Sequence, residues 1–157
     1  MKLRILEQYR YDLNQLVYHG SSMHKHSEDF ATQSIPCFFS PYKEYSQSFG
    51  PIVGIYKLNI RKPFVLDNEK AVSIYNNEFI PFADKRGWSY DWGNDLRRVE
   101  IGDDISFVVA DYLYPFLRKM KRQHIYDYDG IICSEGNLYY KTSFIPLDKS
   151  QIIEIDT

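Results

Sequence analysis

The most constraining feature of the sequence is one long helical stripe of apolar residues in its second half. The stripe consists of Ile105, Val108, Val109, Tyr112, Leu113, Phe116, Leu117 and Met120. Its i, i+3, i+4, i+7 spacing predicts an amphipathic helix from Asp104 to about Gln123, with Asp103 or Asp104 as the cap at its start. Because proline has no amide hydrogen and its ring clashes with the preceding turn, we expect Pro115 to kink or divide this helix.

Short strand-like runs lie on both sides of this helix. They are 16–18, 37–39, 52–60, 128–134, 138–147 and 151–155. These runs are rich in β-branched or aromatic residues and end at turn-forming residues, which is typical of strands. The two runs that flank Glu135, Gly136 and Asn137 predict a β-hairpin.

Two shorter helices and two loops complete the predicted elements. A helix is expected over 41–48, where Ser40 is a hydroxyl N-cap and Pro41 occupies the first helical position. A second short helix is expected over 71–80. The polar segments 22–34 and 81–102 are predicted loops, and the second of these is unusually long.

Length and composition limit the classes of protein to which this chain can belong. Its 157 residues are enough for one domain, and we expect residues 1–157 to form it. A net charge of -2 provides no overall field that would attract nucleic acid. Neither Cys37 nor Cys133 has the spacing of a zinc site or of a disulfide framework, and charged residues interrupt the apolar N-terminus. We therefore expect a reduced, cytoplasmic location and no membrane span.

A His-Gly-Ser step ends the first strand-like run and has the character of a ligand cradle. The strand residues Val17 and Tyr18 precede His19, and Gly20 allows a ligand to approach the main chain where a side chain would block it. The structural alternative is a histidine satisfied at the edge of a core, followed by a turn glycine. Four residues alone do not decide between the two.

Four further motifs follow the His-Gly-Ser step in a fixed order. They are Phe38-Phe39-Ser40, the run from Ser46 to Gly50, the run from Tyr128 to Ile132, and the run from Ser143 to Ile152. The ordered set resembles the ADP-ribosyltransferase fold, in the histidine-containing branch that includes poly(ADP-ribose) polymerases and diphtheria-toxin-like enzymes. The resemblance implies an α+β domain, a split β-sandwich of two small antiparallel sheets with flanking helices and an NAD cleft between the sheets.

The resemblance also implies a role for each motif residue toward NAD, the substrate. His19 would hydrogen-bond the ribose on the adenine side, and Ser21 would line the ribose pocket. The Gly20 main chain and the Ser46 hydroxyl would bind the nicotinamide carboxamide. Phe38 and Phe49 would sandwich the nicotinamide ring, although the family usually has tyrosine at the second position, so Phe49 keeps the stacking face and loses a hydroxyl.

The catalytic glutamate of the family is replaced here by Ser143. A serine brings no negative charge to an oxocarbenium-like transition state, and the loss of one stabilising group typically costs roughly 10²–10³ in rate. Glu135 is a candidate substitute, and the alternative is an ordinary turn carboxylate. The resemblance therefore implies mono-ADP-ribosyl transfer to a macromolecule, with a protein as the expected acceptor, as in a toxin or effector. NAD glycohydrolysis and silent binding of NAD or ADP-ribose stay open as alternatives.

Other chemistry-bearing residues predict no second function. His24 and His26 have no third ligand at a suitable spacing, so we expect no metal site. Trp88 and Trp92 either anchor a protein target or pack on the core. A nucleophilic pair of Cys37 and His19 would require a lowered thiol pKa, which an apolar strand does not favour.

Overall fold

The computed structural model describes residues 15–21, 35–87, 97–135 and 138–156, with the main chain alone at 135, 138–141 and 156. The predicted loop at 22–34, the histidines His24 and His26, and the tryptophans Trp88 and Trp92 lie outside the described residues. Within them the chain forms two three-stranded sheets and several helices, which confirms the mixed α+β class.

The first sheet contains the strand that carries the His-Gly-Ser step. Strand β1 (Val17–Ser21) pairs antiparallel with β2 (Ile52–Leu58), which pairs antiparallel with β6 (Ile152–Asp156). Alternate residues of β1 are buried, so its side chains at Val17, His19 and Ser21 face inward. The predicted strands at both ends of the sequence therefore meet in one sheet.

The second sheet contains the predicted hairpin. Strands β4 (Gly130–Glu135) and β5 (Leu138–Pro146) are antiparallel, and the two-residue strand β3 (Pro63–Phe64) lies parallel to β4. The expectation of purely antiparallel sheets was wrong at this edge. Pro63 lies in the edge strand of this sheet, where a proline is tolerated because no partner needs its missing N–H.

Two main-chain pairs join the sheets at Phe39 and Ser40. Ser40 exchanges hydrogen bonds of 2.7 and 2.9 Å with Tyr18 of β1, and Phe39 exchanges bonds of 3.0 and 2.7 Å with Phe144 of β5. Consecutive residues of an extended chain turn their amides to opposite edges, so one short segment serves both sheets. The strand predicted at 37–39 is thus a connection made of two single bridges rather than a strand with a ladder of its own.

Several helical segments lie among the strands of the described ranges. Helix α1 (Lys43–Gln47) follows the joint, and α2 (Glu69–Ile74) continues through a π-helical turn (Tyr75–Phe79) into α3 (Ile80–Lys85). The helix predicted at 71–80 therefore extends into the segment predicted as a loop, since Pro81 stands at the start of α3, where a proline is tolerated. Ser40 does not cap α1; its Oγ accepts a hydrogen bond from the Tyr42 amide at 3.1 Å.

The long helix α4 (Phe107–Arg122) is continuous. Its N-cap is Ser106, whose Oγ accepts from the Val109 amide at 3.3 Å, so the expected caps Asp103 and Asp104 were wrong. Pro115 does not divide the helix. The proline removes one hydrogen bond, to the carbonyl of residue 111, while the buried neighbours Tyr114 and Phe116 hold the helix against the core.

The core has two parts, which lie on opposite faces of the second sheet. On β4, Ile131 and Cys133 face the helices, whereas Ile132 faces the first sheet. On β5, Ile145 and Phe144 divide in the same way. Because side chains alternate across a strand, β4 and β5 separate a helical layer from the first sheet.

The side chain of Phe39 packs the joint against the first sheet. It is fully buried, and its ring contacts His19 of β1 and Tyr56 of β2 at centroid distances of 5.2 and 5.3 Å. We expect Phe39→Ala to lower the free energy of unfolding by about 3–5 kcal/mol, because a large buried ring is lost and a cavity is left. Chemical denaturation measures this change.

Phe49→Ala is the matched control, since Phe49 is 56 % exposed. It should cost about 1 kcal/mol or less. Equal losses in the two variants would show that the joint is not a stabilising feature of the fold.

Candidate functional site

The hydrogen-bonded ladder between β1 and the joint segment (residues 37–40) ends after its first pair, which leaves an opening. Tyr18 pairs with Ser40, so the next hydrogen-bonded pair of an antiparallel ladder would be Gly20 with Phe38. Instead, the Phe38 carbonyl accepts a hydrogen bond from Nδ1 of His19 at 2.9 Å. Since a carbonyl can only accept, Nδ1 must carry a proton. The imidazole thus takes the acceptor that would otherwise have closed the ladder.

This opening leaves the Gly20 main chain at the edge of the strand. Alternate residues turn their amides to the same edge, so Gly20 presents its N–H and C=O on the side where Tyr18 meets Ser40. Among the residues that the structure describes, none forms a main-chain hydrogen bond with Gly20 across this edge. A donor and an acceptor side by side can bind a carboxamide, which offers the complementary pair.

Gly20 is also required by the packing of α1. A Cβ at this position would lie 1.9 Å from the Ser46 carbonyl oxygen and 3.2 Å from that of Gly50. The main chain of α1 therefore lies directly over Gly20. The approach of a ligand is one reason for a glycine at this position, and the packing of α1 is a second reason within the chain itself.

Ser46 is held against the same strand. Its side chain is buried, and its Oγ donates to the Tyr18 carbonyl at 2.9 Å, which also accepts from the Ser40 amide. A hydroxyl has one donor hydrogen and two acceptor lone pairs, so Ser46 can still accept a hydrogen bond while it donates to Tyr18. An amide N–H of a ligand is the group that this arrangement fits.

Phe38 and Phe49 lie at the two ends of a series of four aromatic rings. Phe38 packs edge-on against Phe107 of α4 at 5.7 Å, Phe107 stacks with Tyr45 at 6.0 Å, and Tyr45 packs edge-on against Phe49 at 5.1 Å. Sequence reasoning missed Tyr45 and Phe107. Tyr45 could have been found, because it precedes Phe49 by four residues, while Phe107 comes from a distant helix.

The predicted site residues fall on two faces of the joined sheets. Gly20 and Ser46 lie on the helical face, as does Phe38, whereas His19 packs against Phe39 on the face between the sheets. Ser21 points to the same face as His19 and is buried. The opening between Gly20 and Phe38 lies at the edge of β1, next to both groups of residues.

Ser143 lies within the core, next to the residue of β5 that bridges to Phe39. It stands opposite Cys133 in the sheet, directly before Phe144, and is 2 % exposed. Glu135 is the last residue of β4 rather than a turn residue, and the structure describes only its main chain. The substitute role of Glu135 stays a prediction.

The remaining features do not add to the site. A cavity of about 10 Å³, room for roughly one water molecule, lies between 65–66, 103–105 and 132–134. Ile132 of the Tyr128–Ile132 motif lines it, but none of the residues predicted to contact NAD does. Within the described ranges, no group of three or more histidine, cysteine or acidic side chains could hold a metal ion. No helix in those ranges is long and apolar enough to cross a membrane.

Comparison with family models, with curated proteins and with solved structures finds no match to this chain. A function for this chain is therefore inferred from its residues and their geometry.

The crowding at Gly20 gives a stability prediction. We expect Gly20→Ala to lower the free energy of unfolding by about 1–3 kcal/mol, because the new methyl group overlaps the Ser46 carbonyl and forces α1 away from β1. Ser46→Ala removes only the hydroxyl bond to Tyr18 and should cost about 1 kcal/mol. Thermal or denaturant unfolding compares the two variants, and a Gly20→Ala protein as stable as the wild type would contradict the packing of α1.

Proposed function

We propose that this chain binds NAD at the opening between Gly20 and Phe38 and transfers a single ADP-ribose to a protein acceptor. The observation that carries the proposal is the Gly20 main chain, which is left at an open edge because His19 bonds the Phe38 carbonyl. The carboxamide of NAD accepts from the Gly20 N–H and donates to the Gly20 carbonyl. Its second amide hydrogen is available to the Ser46 hydroxyl.

The aromatic residues supply the second part of the proposed site. The nicotinamide ring packs on the aromatic series that ends at Phe38 and Phe49, in which Phe107 and Tyr45 stand between these two rings. The rest of the dinucleotide extends from the opening toward His19. Position and apolar contact would then provide most of the binding free energy, as expected for a site with few charges.

Catalysis at this site depends on positioning rather than on a carboxylate from β5. Breaking the bond between nicotinamide and its ribose develops positive charge on the sugar, and the acceptor then forms the new bond at the same carbon. Ser143 offers no charge to that transition state. We therefore propose slow transfer of one unit rather than chain elongation.

Binding without turnover is the second candidate function. The observation that favours it is the burial of Ser143, which places the residue that replaces the glutamate inside the core. A lysate incubated with labelled NAD and the protein distinguishes the candidates. Label in protein supports transfer, release of free ADP-ribose supports glycohydrolysis, and binding with neither supports the silent domain.

Phe49 provides a clean test of NAD binding because its side chain is exposed. We expect Phe49→Ala to weaken NAD binding about tenfold, since a stacked ring contributes roughly 1 kcal/mol or more. Phe49→Tyr keeps the ring and should bind as the wild type does. Calorimetric titration with NAD measures both, with Ile125→Ala as a control at an exposed apolar residue on another surface. No affinity of the wild type for NAD would refute the proposed site.

Restoring the carboxylate tests the catalytic part of the proposal. We expect Ser143→Glu to raise nicotinamide release from NAD by roughly 10²–10³, because the carboxylate balances the charge of the oxocarbenium-like state. Ser143→Gln is the matched control with the same size and no charge. Both variants must show cooperative thermal unfolding, since the site is buried. Equal rates in the two folded variants would contradict a transition state next to residue 143.

A further inference from the structure

A buried thiol and a buried amine meet next to the joint, at a cysteine two residues before the bridging Phe39. The Lys149 Nζ donates to Cys37 Sγ at 3.0 Å and also to the Ile35 carbonyl. Cys37 is 4 % exposed and Lys149 is 8 % exposed. Lysine is almost never buried to this degree unless its ammonium has partners, so the contact with the thiol is part of what keeps it there.

The contact makes Cys37 chemically different from the second cysteine. An ammonium group within hydrogen-bond distance favours the thiolate, which is the form that reacts with oxidants. Burial instead raises the pKa of Cys133 well above its usual value, and the nearby carboxylates of Asp111 and Asp104 raise it further. Cys37 is thus the cysteine expected to react with a small oxidant.

We propose that Cys37 and Lys149 form a reversible covalent crosslink, a sulfenamide S–N bond, when the protein meets hydrogen peroxide. In the first step the thiolate attacks the peroxide, the O–O bond breaks, and sulfur is oxidised to sulfenic acid. The hydroxide that leaves takes a proton from the Lys149 ammonium and becomes water. The neutral amine then attacks the sulfenic sulfur, the S–O bond breaks, and a second water leaves.

The position of the pair gives the crosslink a structural consequence. Cys37 precedes Phe39, which bridges to β5, and adjoins Phe38, whose carbonyl bonds His19. Lys149 begins the 3₁₀ turn Lys149–Gln151, which is fixed by a capping box with Asp148. The bond would therefore tie the joint segment to an ordered turn and close a large loop in the unfolded chain.

Peptide mapping after peroxide treatment tests the crosslink. We expect the intact mass of the wild type to fall by about 2 Da, and trypsin to fail at Lys149 and release the two peptides joined. A thiol reductant should restore the original mass. The oxidised protein should also unfold at a temperature higher by at least about 5 °C. A disulfide between Cys37 and Cys133 gives the same mass change, but it joins a different pair of peptides and would overturn the proposal.

Two variants of Lys149 distinguish the role of its primary amine from the role of its positive charge. Lys149→Arg keeps a cation beside the thiol but has no primary amine, so a dimedone probe should label sulfenic acid at Cys37 and no joined peptide should form. Lys149→Met removes both the cation and the amine, and labelling should fall. A wild-type protein in which peroxide leaves Cys37 and Lys149 unlinked would overturn the proposal, and this result does not depend on either variant folding.

Discussion

Two pairs of main-chain hydrogen bonds, at Phe39 and Ser40, hold the two sheets together. In the part of the chain that the structure describes, each sheet has three strands, and each requires a neighbour to cover its apolar face. The joint sets the position of that neighbour, because it fixes β1 and β5 on either side of one extended segment. The packing of Phe39 against both sheets then follows from the alternation of side chains along that segment.

The candidate site arises where this joint stops. A ladder that continued from Tyr18 and Ser40 would use up the amides of Gly20 and Phe38, and no opening would exist. His19 prevents this by bonding the Phe38 carbonyl with its ring, which is a local competition between a side chain and a main-chain pair. The histidine is therefore a structural residue and a candidate ligand contact at once. The two interpretations of His19 that the sequence left open are therefore compatible, although Gly20 lies within strand β1 and is not a turn glycine.

The sequence predicted the regular elements well and their junctions poorly. The long helix, the hairpin and the strands at both ends follow from periodicity, which depends only on neighbouring residues. The unbroken helix at Pro115 and the parallel β3 depend on contacts with distant residues, so local pattern could not reveal them. Ser106 was a local signal, since serine is a preferred cap and its hydroxyl accepts from an amide only three residues further on. The same limit applies to the site: Ser46 and Phe49 follow from the resemblance of the ordered motifs to a known family, but Phe107 reaches the aromatic series of Phe49 only through the packing of α4.

The burial of Ser143 constrains how the proposed chemistry could work. A carboxylate at that position would stand between the helical core and the joint, where an uncompensated charge is expensive. A cationic reacting group beside the carboxylate would offset this free-energy cost. A glutamate at this position therefore suits a chain that turns NAD over quickly. Serine removes the cost to folding together with the electrostatic stabilisation of the transition state. For the proposed function, a slow transferase and a silent binding domain therefore differ only in degree. The difference depends on the rate that remains when the site positions NAD and the acceptor without a carboxylate.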